Sequence, residues 1–191
     1  FYLQQRSLHP KDPSRIWWSD KHWYNGLHSD ENLEFSYEYA DRIDLEDRAE
    51  RYFSGTYYPK KIGPKPATQY LFALADENGD ELQADKTYSF TMPAEVPVKQ
   101  FWSLIVYDVE TWAFIYNPFE RAGLSSFDLP TMQKNSDGSV TLYFGPQPLD
   151  GLENNWIPTE GKRPLPVARF YGGTEEFWGK SWEMPDLKLV D

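Results

Sequence analysis

The sequence contains no cysteine, and this absence excludes several kinds of site. A disulfide framework, a thiolate metal site and a thiol nucleophile all require that residue. Long apolar runs are absent as well. The longest mainly apolar run covers Phe101–Tyr107, far short of the roughly 20 residues of a membrane-spanning helix. We therefore expect a protein that does not span a membrane.

Basic residues are outnumbered, with 19 Lys and Arg against 30 Asp and Glu and a net charge of −11. A chain of this charge repels phosphate backbones, so we expect no nucleic-acid partner. The glycine patterns of P-loops and dinucleotide-binding folds are missing, and so is the G-x-S-x-G motif of serine hydrolases. We expect no cofactor.

Aromatic residues are abundant and make up 17% of the 191 residues, with 8 Trp, 13 Tyr and 12 Phe. Disordered chains are poor in aromatic residues, so this composition indicates a folded protein. A chain of this length can bury roughly 70% of its unfolded surface without the help of disulfides or metals. The length predicts one main domain with an appendage.

The first third of the chain predicts a helical arm and a linker over residues 1–66. Apolar residues at helical spacing predict a helix over about 44–54, with Asp44 as its N-cap and Gly55 at its end. Pro10, Pro13 and the pair Asn25-Gly26 predict broken structure or short helical turns around Ser7–Tyr24. Turn-forming residues over 59–66 predict the linker.

Residues 67–191 predict a mainly β domain. Short alternating or apolar segments, separated by turn signals, favour a jelly-roll-like β-sandwich. The segment Val98–Asp108 is apolar on both faces at its middle, as expected for a central strand. The other predicted strands are Gln69–Ala75, Thr87–Thr91, Thr111–Tyr116, Ser139–Phe144, Val167–Tyr171 and Leu187–Val190.

Six motifs in this order resemble the DUF1214 family over nearly the whole chain. They are Tyr70…Ala73…Asp76…Gly79…Leu82, Phe101-Trp102-Ser103…Tyr107-Asp108, Asp137-Gly138-Ser139, Asn155-Trp156-Ile157, Arg169-Phe170-Tyr171 and Trp182…Pro185. The stretch around Trp17…Trp23-Tyr24-Asn25-Gly26 resembles the segment that precedes this domain in proteins that also carry a DUF1254 domain.

The resemblance implies a bacterial protein, a jelly-roll β-sandwich and an exported, periplasmic location. It implies no catalytic residue. A DUF1254 domain has no counterpart here, so the chain resembles a C-terminal fragment or a single-domain member of the family. The stretch between Phe53 and Tyr70 is short for such proteins.

The central strand carries three candidate ligand-binding residues, Trp102, Tyr107 and Asp108. Strand alternation places Asp108 on the same face as Trp102. Trp102 would then stack on a ligand and Asp108 would anchor it at the mouth of a pocket. The alternative is core packing, together with an Asp that begins a turn.

Asn155 and Trp156 follow a glycine-containing loop and are also candidates. An amide beside a flat apolar ring suits the recognition of a carbohydrate. The alternative is that Trp156 covers the edge of the sandwich while Asn155 caps a turn.

Arg169 and Tyr171 complete the candidate set, on one face of a predicted strand with Val167. A cation among apolar neighbours needs a partner. Arg169 would clamp an anion or carboxylate of a ligand. The alternative is a structural ion pair with an acid, for which the candidates are Asp108, Glu153 and Glu183.

The sequence favours a binding or interaction module of an exported or envelope protein that forms homo-oligomers and takes a small molecule or carbohydrate. A hydrolase acting on carbohydrate or glycan is the alternative, with Asp108 and either Glu175 or Glu183 as its paired carboxylates. A metal-dependent enzyme using His22 and His28 is a weaker alternative, because the histidines follow no ligand spacing. We expect no metal.

Overall fold

A computed structural model describes residues 16–25, 41, 43, 45, 65 and 67–190. This part of the chain is mainly β, as the sequence predicts. Its strands are β1 (Trp23–Asn25), β2 (Thr68–Ala73), β3 (Thr87–Met92), β4 (Val98–Asp108), β5 (Gly123–Ser125), β6 (Val140–Gly145), β7 (Trp156–Pro158), β8 (Pro164–Gly173) and β9 (Lys188–Val190). One short helix, α1 (Glu175–Trp178), and two 3-10 turns, Ser126–Asp128 and Glu153–Asn155, lie between them.

The strands form two sheets. A five-stranded sheet has the order β1-β2-β8-β4-β5, and a four-stranded sheet has the order β7-β6-β3-β9. The neighbours are antiparallel except for β6 and β7, which are parallel. The chain crosses between the two sheets after β2, β3, β5, β7 and β8, so residues distant in sequence meet on each face.

One apolar core fills the space between the sheets. Alternation along β3 buries Tyr88, Phe90 and Met92, while the residues between them stay half-buried. Leu71 of β2 and Leu104 of β4 join the same core from the five-stranded sheet. In the described part of the chain, the inner faces of both sheets are therefore covered, whereas their outer faces carry half-buried and exposed side chains.

Residues 16–25 belong to this core. Trp17, Trp18 and Trp23 are all buried. The indole N–H of Trp18 donates to the carbonyl of Trp182 at 3.0 Å, and that of Trp23 donates to the carbonyl of Pro185 at 3.0 Å. Part of the aromatic surplus thus fastens this segment to the sheets. The helix predicted over 44–54 and the linker over 59–66 lie, apart from isolated positions, outside the described residues.

The strand predicted over Thr111–Tyr116 is wrong. This segment forms a loop with a single bridge between Phe114 and Tyr107. Asp108 begins a tight turn, in which the N–H of Trp112 donates to the carbonyl of Asp108 at 2.8 Å. Trp112 has a φ of 60°, which takes the chain out of the sheet at this point.

Among the described residues, no helix is long and apolar enough to cross a membrane.

Candidate functional site

The outer face of the five-stranded sheet carries the most unusual group of side chains in the described structure. Its residues come from alternate positions of three adjacent strands. In one row across the sheet, Tyr70 of β2, Arg169 of β8 and Ser103 of β4 are neighbours. In the next row, Tyr171 of β8 lies beside Phe101 of β4. The pleat and the register together place a cation among aromatic rings.

Arg169 makes its contacts with tyrosines. Its Nη2 donates a hydrogen bond to the hydroxyl of Tyr70 at 3.0 Å. The guanidinium carbon lies 4.7 Å from the ring centroid of Tyr70 and 5.8 Å from that of Tyr171. Both distances are within the range of a cation–π interaction. The rings of Tyr171 and Phe101 stack at 4.0 Å between centroids.

The electrostatics of this group favour the charged guanidinium. Burial lowers the pKa of Arg169, but the hydrogen bond with Tyr70 and the neighbouring phenols outweigh it and raise the pKa above its usual value. For Tyr70, burial raises the pKa, while hydrogen bonds from Tyr171 and Arg169 and the guanidinium charge bring it below its usual value. Burial raises the pKa of Tyr171. Arg169 is therefore a permanent cation whose nearest described partners are the phenols of Tyr70 and Tyr171.

The alternative that Arg169 pairs with Asp108, Glu153 or Glu183 is wrong, since no ion pair within the described ranges involves Arg169. Asp108 lies opposite Pro164, at the far end of β8. The tyrosine hydroxyls occupy the place expected for an acid, and no carboxylate of the described residues compensates the positive charge.

Tyr107 and Phe72 lie on the same outer face, on the other side of Arg169. They pack with Leu165, Val167 and Trp112 in a small apolar cluster. Burial raises the pKa of Tyr107, and its ring stacks on exposed Phe114 at 5.0 Å. Of the candidate residues, the structure brings Tyr107, Arg169 and Tyr171 together on one face.

Trp102 and Asp108 face the opposite way, as alternation predicts, and both are buried. Trp102 belongs to the central core. The carboxylate of Asp108 accepts from the N–H of Glu110 at 3.0 Å and from the hydroxyl of Thr111 at 2.9 Å. Such contacts are those of a residue that begins a turn. Trp102 therefore packs in the core and Asp108 begins a turn, which is the alternative to ligand binding given above.

Asn155 and Trp156 are also buried, with 1% and 4% of their surfaces exposed. The amide of Asn155 accepts from the N–H of Gln133 and donates to the carbonyls of Gln133 and Thr141. The indole N–H of Trp156 donates to the carbonyl of Gly145 at 3.1 Å. Their polar groups are engaged within the protein, so neither residue presents a surface to a carbohydrate.

Asp108 and Glu175, one pair of carboxylates in the hydrolase alternative, are not brought together. Asp108 lies opposite the first residue of β8, and Glu175 lies two residues beyond the last one. The 10 residues of β8 separate them by about 30 Å at roughly 3.3 Å per residue, whereas glycosidases need about 5–10 Å. Glu175 is exposed, and a hydrogen bond from Lys65 lowers its pKa. Glu175 lies in α1, and Glu183 is exposed.

The match to a known family covers the strands that build this face. The family described as "Protein of unknown function (DUF1214)" matches residues 67–175. The chain belongs to the DUF1214 family. No curated protein matches it.

A solved structure of a larger protein shows the fold of this DUF1214 chain, and a second one is similar to a lesser degree. The VPA0106 protein from Vibrio parahaemolyticus is 22% identical, with a TM-score of 0.58 over 79% of this chain and 36% of that one. An uncharacterised protein from Burkholderia cenocepacia is 17% identical, with a TM-score of 0.46 over 69% of this chain and 32% of that one. The chain spans about a third of the length of these proteins.

The histidines of the DUF1214 chain do not assemble a metal centre within the described ranges. His22 lies 3.1 Å from Asp186, between Nδ1 and Oδ2, and its backbone N–H donates to the same carboxylate. His28 lies outside the described residues. The described part of the chain contains no group of three or more His, Cys, Asp or Glu side chains that could hold an ion.

Two site residues were missed from the sequence. Phe101 lies half-buried on the outer face, where it contacts Tyr171 and Phe127. Tyr70 is not among the candidate ligand-binding residues predicted from the sequence, although its hydroxyl accepts a hydrogen bond from Arg169 at 3.0 Å. Alternation along β4 was the available signal for Phe101, because residue 101 lies on the face opposite Trp102. Tyr70 required the register of β2 against β8, which local sequence does not reveal.

Proposed function

We propose that this DUF1214 domain is a ligand-binding module and that its ligand contacts the outer face of the five-stranded sheet around Arg169. The observation that carries the proposal is a half-buried guanidinium that is stacked between tyrosine rings and has no carboxylate partner among the described residues. Burial of a charge is costly unless a partner compensates it. A ligand that covers this face would provide that partner.

The surrounding side chains support the same location. Tyr107 and Phe72 on one side and Tyr171 and Phe101 on the other are half-buried aromatic residues. Flat rings give a ligand contact area at little cost in conformational entropy, and phenols add hydrogen-bonding groups. A small molecule with a flat apolar part suits this face, and a carbohydrate that presents its apolar ring face is a second candidate.

The domain bounds, the type of β-sandwich and the cellular location are also part of the proposal. The family match over residues 67–175 supports a DUF1214 domain that begins near residue 67, and we propose that this domain runs to residue 191, with β1 completing its five-stranded sheet. The repeated crossing between the sheets supports a jelly-roll-like arrangement, and residues 16–25 pack against its sheets. An exported or envelope location, a homo-oligomeric state and an accompanying DUF1254 domain rest on the family resemblance alone.

A binding screen with a matched pair of variants tests the proposal. The panel contains 2-naphthoate, 2-naphthamide, cellobiose and N-acetylglucosamine, and saturation-transfer NMR detects binding. Tyr171→Ala removes a ring from the proposed face, and Tyr143→Ala removes a half-buried tyrosine from β6 in the other sheet. We expect a panel member to bind the wild type and Tyr143→Ala and to lose its signal with Tyr171→Ala.

The thermal melting curve of each variant shows whether it is folded. Binding that survives in a folded Tyr171→Ala variant contradicts the proposed face. A panel without any binder contradicts the proposed class of ligand. The hydrolase alternative stays a prediction. Release of sugar by the protein from a panel of glycans would be direct evidence for it.

A further inference from the structure

The outer face around Arg169 has an unequal distribution of charge and apolar surface. Toward one end of β8 lie Val167 and Leu165, packed with Tyr107 and Trp112. Toward the other end lies Tyr171, stacked on Phe101. Successive residues on one face of a strand are about 6.6 Å apart. A ligand that reaches from the guanidinium onto this apolar surface therefore needs a hydrophobic body only a ring or two long.

The guanidinium retains hydrogen-bonding capacity. An arginine side chain has about five N–H donors in a planar fork. Hydrogen bonds to the described residues use one of them, the 3.0 Å bond from Nη2 to the hydroxyl of Tyr70. The remaining donors match the two oxygens of a planar carboxylate, which a guanidinium binds through parallel hydrogen bonds.

Tyr70 adds a second donor at the same place. Its hydroxyl oxygen accepts from Arg169, so its own proton is free to be donated elsewhere. The hydroxyl of Tyr171 lies 3.5 Å from that of Tyr70. This is a long O–H···O hydrogen bond, beyond the usual range of roughly 2.5–3.0 Å. A carboxylate between the guanidinium and Tyr70 would receive this proton in a shorter hydrogen bond.

The charge of the whole chain limits how much negative charge the ligand can carry. The net charge is −11, and a strongly negative protein repels polyanions such as nucleotides. One cation with aromatic neighbours compensates one negative charge. The combination favours a singly charged ligand with an apolar body over a phosphate-rich one.

We infer that the ligand of this face is an aromatic monocarboxylate, whose carboxylate binds Arg169 and Tyr70 and whose ring lies on the apolar side chains beside them. The inference rests on the proposed function of the same face and adds the charge and shape of the ligand. It assigns Arg169 as the residue that determines specificity and Tyr70 as a second donor.

A matched pair of probes separates this inference from the proposed function. 2-Naphthoate and 2-naphthamide share the ring system and differ in the charged group, and titration calorimetry measures both dissociation constants. We expect the wild type to bind the carboxylate at least about tenfold more tightly, because charge-assisted hydrogen bonds are roughly twice as strong as neutral ones. Equal affinities overturn the inference and leave the proposed function standing. Absence of binding by both probes overturns the inference, and only absence of binding across the whole panel overturns the proposed function as well.

Variants of Arg169 show whether this residue causes the preference for the carboxylate probe. Arg169→Gln removes the charge and should abolish the preference for the carboxylate, with weak binding of both probes remaining. Arg169→Lys keeps the charge without the planar fork and should retain only part of the preference. A preference that is unchanged in folded Arg169→Gln overturns the assignment.

The comparison of the two probes on the wild type needs no variant, so it stays informative if a substitution prevents folding. Added salt provides a further check on that protein. It should weaken naphthoate binding and leave naphthamide binding unchanged. An equal salt response for the two probes contradicts the ion pair with Arg169.

Discussion

Replacing Asn155 with alanine removes an amide that joins three segments of the chain. The side chain is 1% exposed. Its oxygen accepts from the N–H of Gln133 at 2.9 Å, and its nitrogen donates to the carbonyls of Gln133 at 2.9 Å and Thr141 at 2.8 Å. The alanine variant leaves three main-chain groups without partners in a poorly hydrated place.

The cost follows from these contacts. A typical hydrogen bond contributes about 1 kcal/mol net, so the loss of three lowers the free energy of unfolding by about 3 kcal/mol. For a domain of this size, that corresponds to a fall in melting temperature of roughly 6–12 °C. Ligand binding at Arg169 should be unchanged, since Asn155 lies next to β7 in the other sheet.

Urea denaturation followed by tryptophan fluorescence measures this loss, with Asn154→Ala as the matched control. Asn154 lies in the same 3-10 turn and is exposed, so its replacement should change stability by less than about 0.5 kcal/mol. Equal stabilities of the two variants would refute the structural role of Asn155. A folded Asn155→Ala variant that fails to bind would return Asn155 to the binding site.

Other predictions concern the sheet and its charges. Gly123→Ala places a Cβ 2.3 Å from the carbonyl oxygen of Leu104, so it should destabilise the protein by about 1–3 kcal/mol in urea denaturation. The phenol of Tyr70 ionises below the usual tyrosine pKa, and Tyr70→Phe should remove this ionisation step from an ultraviolet pH titration. Arg169→Gln should shift the same step to higher pH, because the guanidinium favours the phenolate. Glu175→Gln removes an exposed carboxylate paired with Lys65, and it should alter neither the melting temperature nor ligand binding. A clear loss of binding in that variant would reopen the hydrolase alternative.

Much of the β architecture follows from local sequence. The apolar run within Val98–Asp108 predicts a central strand, and β4 has these bounds and lies between β8 and β5. Alternation correctly places Arg169 and Tyr171 on one face. Asp108 begins a turn, as its residue type suggests. These features depend on the pleat and on turn chemistry, which a short segment determines by itself.

The remaining features depend on long-range pairing. β1 and β7 have three residues each, and such short strands exist because neighbouring strands complete their hydrogen bonds. Tyr70 and Arg169 are 99 positions apart in sequence, and only the register of β2 against β8 makes them neighbours. The amide of Asn155 and the indole of Trp156 have a chemistry that suits a carbohydrate. Both side chains are buried, so their polar groups form hydrogen bonds with the protein backbone instead.

Tyrosine resonances offer the most direct test of the proposed binding face. With ring-labelled tyrosine, NMR spectra recorded with and without 2-naphthoate report on each phenol separately. The account predicts that the resonances of Tyr70 and Tyr171 shift on binding, while those of Tyr88 and Tyr143 in the four-stranded sheet stay unchanged. Unchanged Tyr70 and Tyr171 resonances, or shifts confined to the four-stranded sheet, would contradict it.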